Sequence, residues 1–324
     1  METLVSVVMP VYNESRYIDK CIQSLLEQDY AKEQMEWLFV DGNSTDDTVA
    51  RIEKYRQQYP NLIRVLDNPK RIVPCAMNIG IAESKGSIIV RLDAHADYAR
   101  DYISKCVKHL EESDAQNVGG VLETKSQGFV GDCIAKMLSS CFGVGNSQFR
   151  TNGETGFVDT VPFGTFRREV FSQYGGYDER LERGEDNELN YRIRKNGGKI
   201  LLCSDIKLSY YCRDTIKGIV QQAVSNGKWN VITMRLCPGS MGLRHFIPML
   251  FLLSIIGLLA LGFFAHLFWW LLLLELLLYM MLDIIFSLQL ASGLRSFLLQ
   301  VILFPIFHLS YGFGSIKGLL RFKD

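Results

Sequence analysis

The stretch LVSVVMPVYNESRYIDKCIQSLL, residues 4–26, joins an apolar run to a segment of helical period through a short polar loop. In its second half Ile18, Cys21, Ile22, Leu25 and Leu26 recur at i, i+3, i+4, i+7 and i+8, the apolar stripe of a helix lying on a sheet. A buried strand feeding such a helix is the first half of a βαβ unit. Outward from it, EWLFV (36–40) precedes the helix DDTVARIEKYRQQY (46–59). NLIRVL (61–66) precedes a helix containing Ala76 to Ser84, and SIIVRL (87–92) is a fourth strand. The alternation predicts an α/β domain with a Rossmann-like, mostly parallel sheet. Ligands of such sheets bind at the carboxyl ends of the strands, so the loops at 10–14, 41–47 and 93–97 should converge on one site.

Beyond residue 125 the pattern is irregular. A helix near 130–142, a strand-like GFVDTVPF, the turn YGGYDE and a helix from Asp186 to Lys195 can be placed. KILLCSD reads as another strand, and IKGIVQQAVSNGKW as an amphipathic segment leading toward an apolar C-terminal region. The expected domains are 1–230, a cytosolic α/β part; 231–245, a connector; and 246–324, an α-helical membrane region with two or three helices.

The formal net charge is zero, which argues against an electrostatic nucleic-acid binder. Residues 246–324 carry only Glu275, Asp283, Asp324, Arg295, Lys317, Arg321 and Lys323 as charges. FIPMLFLLSIIGLLALGFF (246–264) is uncharged and long enough to cross a bilayer as a helix; LFWWLLLLELLLYMMLDIIFSLQL (267–290) is a second candidate. FLLQVILFPIFHLSYGFGSI (297–316) is interrupted by Pro305 and glycines. Two spans would return Arg295 to the cytosol, whereas a third would put Lys317, Arg321 and Lys323 outside, so two spans with an interfacial segment and three spans stand level. Trp269 and Trp270 fit interfacial positions, and Glu275 and Asp283 should face protein or water, paired with His308 or another subunit or else protonated. The eight cysteines form no CxxC pair and read as buried, reduced thiols, and Glu2 with a short apolar strand is not a secretory-signal pattern.

The first loop, MPVYNES, offers Tyr12 as a flat surface for a nucleobase, with Asn13 as an alternative helix cap. In VDGNSTDDT, Ser44 and Asp47 have capping-box spacing, while Asp41 precedes the cap and could accept from the imide N–H of uracil. RLDAHADY (91–98) ends a buried strand with Asp93, His95 and Asp97; such carboxylates are costly unless paired, hydrated or bound to a cation. Asp97 alternatively caps a helix at 99–111. In RGEDNELNYRIRKNGGK (183–199), Glu185 and Asp186 open a helix, as acids do for dipole reasons alone or as a catalytic pair. No GxGxxG, GxSxG or GKS/GKT element is present, which weakens dehydrogenase, hydrolase and kinase-like readings.

Taken together, SVVMPVYNE, VDGNSTDDT, AMNIGIAESKG, RLDAHA, VPFGTFRREVF, GGYDE and GEDNELNYRIRKNGG resemble the family 2 glycosyltransferases, over roughly residues 4–230. Within them the chain is most similar to membrane-associated glucosyltransferases of succinoglycan and other exopolysaccharide assembly. The resemblance implies a GT-A nucleotide-sugar-binding fold. It also implies that Pro10, Tyr12, Glu14 and Asp41 hold the nucleoside of a UDP-sugar. Asn78 would shape the donor site and Arg71 approach the diphosphate. Asp93 matches the first carboxylate of the DxD metal motif, and His95 stands where the second is usual. Imidazole suits manganese better than magnesium, so Mn2+ is the expected cation. Asp186 takes the place of the general base of inverting members, beside Glu185. Gly164, Thr165 and Arg167 resemble the segment on the acceptor side, with a packing turn as the alternative, and Glu185 and Trp229 are further acceptor-side candidates. SNGKW (225–229) keeps Trp229 of the processive QxxRW motif but has Lys228 for Arg, which favours addition of a single sugar.

The expected reaction moves one hexose to a hydroxyl of a lipid-linked saccharide, in exopolysaccharide, capsule or related glycan assembly, at the cytosolic face of the inner membrane. A polyprenyl-phosphate acceptor and a non-catalytic nucleotide-sugar sensor are the alternatives.

Overall fold

The computed structural model describes residues 3–151 and 153–321; Glu2, Lys323 and Asp324, used above, lie outside them. The chain forms two compact units, one of residues 1–123 and 152–211, the other of 124–151 and 212–324.

In the first unit, strand β1 (Val5–Val11) leads into helix α1 (Ile18–Leu26), then β2 (Met35–Asp41), α2 (Thr48–Gln58), β3 (Ile63–Asp67), α3 (Val73–Glu83) and β4 (Ile88–Arg91). Every residue of β2 is buried, as in a strand covered on both faces. Helix α1 turns Ile18, Cys21, Ile22 and Leu25 inward, the stripe read from the sequence. Burying such side chains contributes roughly 1.5–3 kcal/mol each. These four strands lie parallel in the order β3-β2-β1-β4.

The sheet then changes direction. After β5 (Ala96–Tyr98), α4 (Tyr102–Glu112), β6 (Asn117–Lys125), α5 (Gly128–Leu138), α6 (Cys141–Val144) and β7 (Gly156–Phe157) comes β8 (Thr165–Arg167), which runs antiparallel to β4 and β6. Helices α7 (Glu169–Tyr174) and α8 (Glu185–Lys195) follow, and β9 (Ile200–Tyr211) pairs antiparallel with β5 and β7. The full order is β3-β2-β1-β4-β8-β6-β9-β5, with β7 beside β9. Only the first two residues of GFVDTVPF are strand, and the helix expected at 130–142 breaks after Leu138, where Ser140 caps α6 through the Gly143 N–H. The antiparallel half thus lies where periodicity was weakest.

The second unit holds α5, α6 and four long or apolar helices: α9 (Ile216–Leu236), α10 (Ile247–Gly262), α11 (His266–Leu290) and α12 (Leu294–Leu320). Helices α11 and α12 are long and apolar enough to cross a membrane. The first apolar stretch is not, because its helix has 16 residues, about 24 Å at 1.5 Å per residue against roughly 30 Å of hydrocarbon. It ends where the Trp269 ring packs on Gly262, a Cβ there standing 2.6 Å from Cε2. The third stretch, expected to be interrupted, runs as one helix through Pro305. Neither Glu275 nor Asp283 bonds to His308. Ser254 donates to Glu275, Ser287 donates to Asp283 at 3.0 Å, and His308 donates from Nε2 to the Phe142 carbonyl while Nδ1 accepts from Tyr279. A Cβ at Gly227 would stand 2.1 Å from the Tyr311 carbonyl, and one at Gly314 2.1 Å from that of Val224. Small residues let α9 and α12 meet backbone to backbone. Six cysteines are buried, while Cys141 is exposed and Cys237 half-buried.

Candidate active site

The loops after β1 and β2 are sewn together by side chains. Asn13 adopts φ 54° and its Oδ1 accepts from the Thr45 N–H at 2.8 Å, while its own N–H donates to Ser44 Oγ at 3.0 Å. It joins two loops instead of capping α1. The buried Asp41 carboxylate accepts from the Ser44 N–H at 3.0 Å and hydroxyl at 2.6 Å, so it also has a structural task in its own loop. The expected Ser44–Asp47 capping box does not form. Asp46 takes that work, accepting from the Thr48 N–H at 3.0 Å and hydroxyl at 2.5 Å and from the Ser15 N–H at 3.2 Å. Slight desolvation raises its pKa, but those bonds prevail and hold it at about 2.

Tyr12 is 45% exposed, and Pro10 is half-buried on β1. A Cβ at Gly42 would meet Tyr12 Cβ at 3.5 Å and the Arg71 backbone at 3.4 Å. Arg71, at φ 64°, keeps its side chain exposed there. Pro10, Tyr12, Asp41 and Arg71 therefore share one edge of the sheet. The Asn78 amide accepts from the Tyr177 N–H at 2.8 Å and donates to the Tyr177 carbonyl at 2.9 Å, clamping the GGYDE turn onto α3.

Asp93 follows β4 in a loop clipped by Tyr98, whose hydroxyl accepts from the Asp93 N–H at 2.8 Å and donates to the Asp93 carbonyl at 3.0 Å. Burial raises the Asp93 pKa; Arg91 and His95 pull it back, and Glu185 and Glu14 push it further up. His95 Nδ1 lies 3.0 Å from Glu14 Oε1. A proton on Nδ1 leaves the lone pair of the neutral ring on Nε2, the arrangement in which an imidazole serves a metal. Glu14 thus addresses the loop after β4 as well as the first loop. Asp97 caps no helix: it sits in β5 and pairs with Lys20 at 2.5 Å and the Tyr211 hydroxyl at 2.9 Å, tying α1 to β9. A desolvated carboxylate and an imidazole two residues apart fit a divalent cation that takes its other ligands from diphosphate and water.

Asp186 and Glu185 start α8 and both bind Arg91, which the sequence reading passed over. Arg91 Nη1 donates to Asp186, and Nη2 to Glu185 Oε1 at 2.8 Å. Arg91 is the charged residue inside SIIVRL, and a buried guanidinium requires carboxylate partners, so the signal was present. Burial lifts the Asp186 pKa; Arg91 opposes this, Glu185 and Asp93 add to it, and the result is about 7. An acid held there can switch protonation near neutral pH.

The acceptor-side candidates at 164–167 serve the sheet. Thr165 is fully buried, Arg167 donates to the Leu110 carbonyl, and a Cβ at Gly164 would stand 2.3 Å from Asn117 Oδ1. Trp229 is buried on α9 in the second unit, with the Lys228 ammonium 5.2 Å from its ring centroid. Among the described residues His109, Cys203 and Asp205 also bring ligand atoms within 4.8 Å. Asp205 is committed to His109 at 3.0 Å, its carbonyl accepts from Lys105 at 2.9 Å, and burial pushes the Cys203 thiol up to about 12, so this group fastens α4 to β9.

A chain of Methanococcus voltae named dolichyl N-acetyl-alpha-D-glucosaminyl phosphate 3-beta-D-2,3-diacetamido-2,3-dideoxy-beta-D-glucuronosyltransferase is 29% identical, covering 98% of this chain and 99% of that one. The succinoglycan biosynthesis protein ExoA of Rhizobium meliloti (strain 1021) is 29% identical over 75% of this chain and 74% of its own. Among solved structures, mannosyltransferase PcManGT from Pyrobaculum calidifontis, in complex with GDP-Man and Mn2+, superposes with a TM-score of 0.63 at 16% identity, covering 100% of this chain and 89% of that one. That likeness fixes the GT-A fold. Residues 6–175 match the family described as Glycosyl transferase family 2, and with the strand-end loops and acid pair in place the chain belongs to that family.

Proposed function

We propose that this chain is an inverting hexosyltransferase that moves one sugar from a nucleoside-diphosphate sugar, a UDP-sugar in the first instance, to a hydroxyl of a lipid-linked saccharide. The observation that carries this reading is Asp186: a partly exposed carboxyl beside Arg91 and within the field of Asp93, held at about 7. A sugar hydroxyl must lose its proton as its oxygen attacks the anomeric carbon, and a positioned carboxylate contributes roughly 10² to 10⁴ in rate. The new C–O bond forms as the bond to the β-phosphate oxygen breaks on the opposite face. The proton passes to Asp186, and the electron pair leaves with the nucleoside diphosphate.

Tyr12 offers the base a stacking surface, Asp41 an acceptor, and Arg71 a cation for the diphosphate. Asp93 and His95 would hold the divalent cation, with Glu14 orienting His95. When bound, that cation neutralises charge growing on the departing diphosphate. An imidazole donor supports manganese over magnesium, and the solved mannosyltransferase was crystallised with Mn2+. The Methanococcus voltae relative is named for a dolichyl N-acetylglucosaminyl phosphate acceptor, which supports a lipid-linked saccharide. Lys228 in place of the processive arginine supports a single addition. The apolar helices from residue 247 onward keep the site near such an acceptor at the cytosolic face of the inner membrane, raising its effective concentration.

The test is nucleoside diphosphate release by the detergent-solubilised full chain, across UDP- and GDP-sugars with each cation. Release from one UDP-sugar that rises with lipid extract and disappears in Asp93→Ala supports the reading. Tight donor binding with no release in native lipid extract refutes it in favour of a sensor.

A further inference from the structure

Proton transfer to Asp186 leaves two buried neighbours, Arg91 and Glu185, without a task. We propose that Arg91 is a positioning residue for the transfer: its guanidinium fork, spread over Glu185 and Asp186, holds the Asp186 carboxyl in one orientation. The proposal rests on the reading of Asp186 as the base.

The backbone of Arg91 is planted in the middle of the sheet. It stands opposite Val8 of β1, and its N–H donates to the Gly164 carbonyl at 3.0 Å on the other side. From that anchor the side chain reaches the start of α8 and sends one nitrogen to each acid. The side chains of Arg91 and Glu185 are 6% and 10% exposed, whereas that of Asp186 is 28% exposed. The cluster therefore keeps one carboxylate inside and presents the other outward. A planar guanidinium can bridge two carboxylates in this way; a lysine ammonium, a point charge on a flexible stem, cannot hold both in fixed directions.

The charges facing Asp186 come from three places. Arg91 projects from β4, Asp93 lies in the loop that follows it, and Glu185 neighbours Asp186 on α8; the Tyr177 hydroxyl lies in the turn ahead of α8. Of these only Arg91 favours the ionised carboxylate, while Glu185 and Asp93 disfavour it. Changes at Arg91 and Glu185 should therefore move the protonation of Asp186 in opposite directions.

The experiment measures kcat, donor KM and the acid limb of the pH–rate profile for the wild-type full chain, Arg91→Lys, Glu185→Gln and Asp186→Asn. Arg91→Lys should lower kcat at least tenfold, leave donor KM within about threefold, and move the acid limb up by about one pH unit. Glu185→Gln removes a like charge and should move the limb down by a comparable amount. Should Arg91→Lys fail to fold, Arg91→Gln, which keeps a planar donor but loses the charge and the fork, replaces it and should likewise lower kcat and move the acid limb up with donor KM little changed. Limbs that stay in place in both variants, with Asp186→Asn inactive, overturn the role of Arg91 and leave the base reading standing. An active Asp186→Asn overturns both.

Discussion

Asp186→Asn replaces the proposed proton acceptor with an amide of the same shape that has no basicity. The structure places the native carboxyl at about 7, above the ~3.9 of an unfolded chain. Ionised base is then roughly a tenth of the total at pH 6 and nine-tenths at pH 8, so wild-type transfer should rise about tenfold across that interval. Losing the base should cost roughly 10² to 10⁴ in kcat, or about 3–5 kcal/mol of barrier, and flatten the rise. The linkage to stability has its own sign. Because the folded value lies above the unfolded one, the neutral carboxyl's contribution is complete below about pH 4 and lost as pH rises through about 7. Asp186→Asn should therefore remove part of the wild-type loss of stability between pH 6 and 8, read as a smaller drop in the thermal midpoint in detergent. Transfer is followed by nucleoside diphosphate release with lipid-linked acceptor, and donor binding by titration with the nucleoside diphosphate alone. Full transfer by the variant, or a wild-type profile flat from pH 6 to 8, refutes the assignment.

Other outcomes test the surrounding parts. His95→Asp should lower the Mn2+ to Mg2+ rate ratio at least fivefold by substituting an oxygen donor; an unchanged ratio speaks against His95 as a ligand. Asp41→Ala should raise donor KM about tenfold with kcat within threefold, because the Ser44 loop loses its acceptor, and should cost about 0.5–2 kcal/mol of stability in denaturation. Gly227→Leu forces a side chain into the Tyr311 carbonyl and should cost at least about 1–3 kcal/mol, seen as a lower unfolding midpoint in detergent.

The apolar alternation of residues 4–92 determined the parallel half of the sheet, because strands covered on both faces read as nearly continuous apolar runs and the helices over them carry a stripe. The loops after β1, β2 and β4 were legible for the same reason, since the strand ends that set the period also end at the site. The antiparallel half was not, because β5, β7 and β8 are two or three residues each, too short for any period to register. Length alone also overcounted the first apolar stretch, whose helix closes early where Trp269 meets Gly262. What only the tertiary structure decided was the partner of each polar side chain. Sequence spacing brings neither Arg91 to Glu185 and Asp186 nor Glu14 to His95, since those pairs lie 94, 95 and 81 residues apart. It likewise could not show that Asn78, Thr165 and Arg167 spend their polar groups or their burial on the fold. A residue's type states what it can bond to, and only the folded backbone, by excluding water and bringing distant strands together, selects the bond that forms.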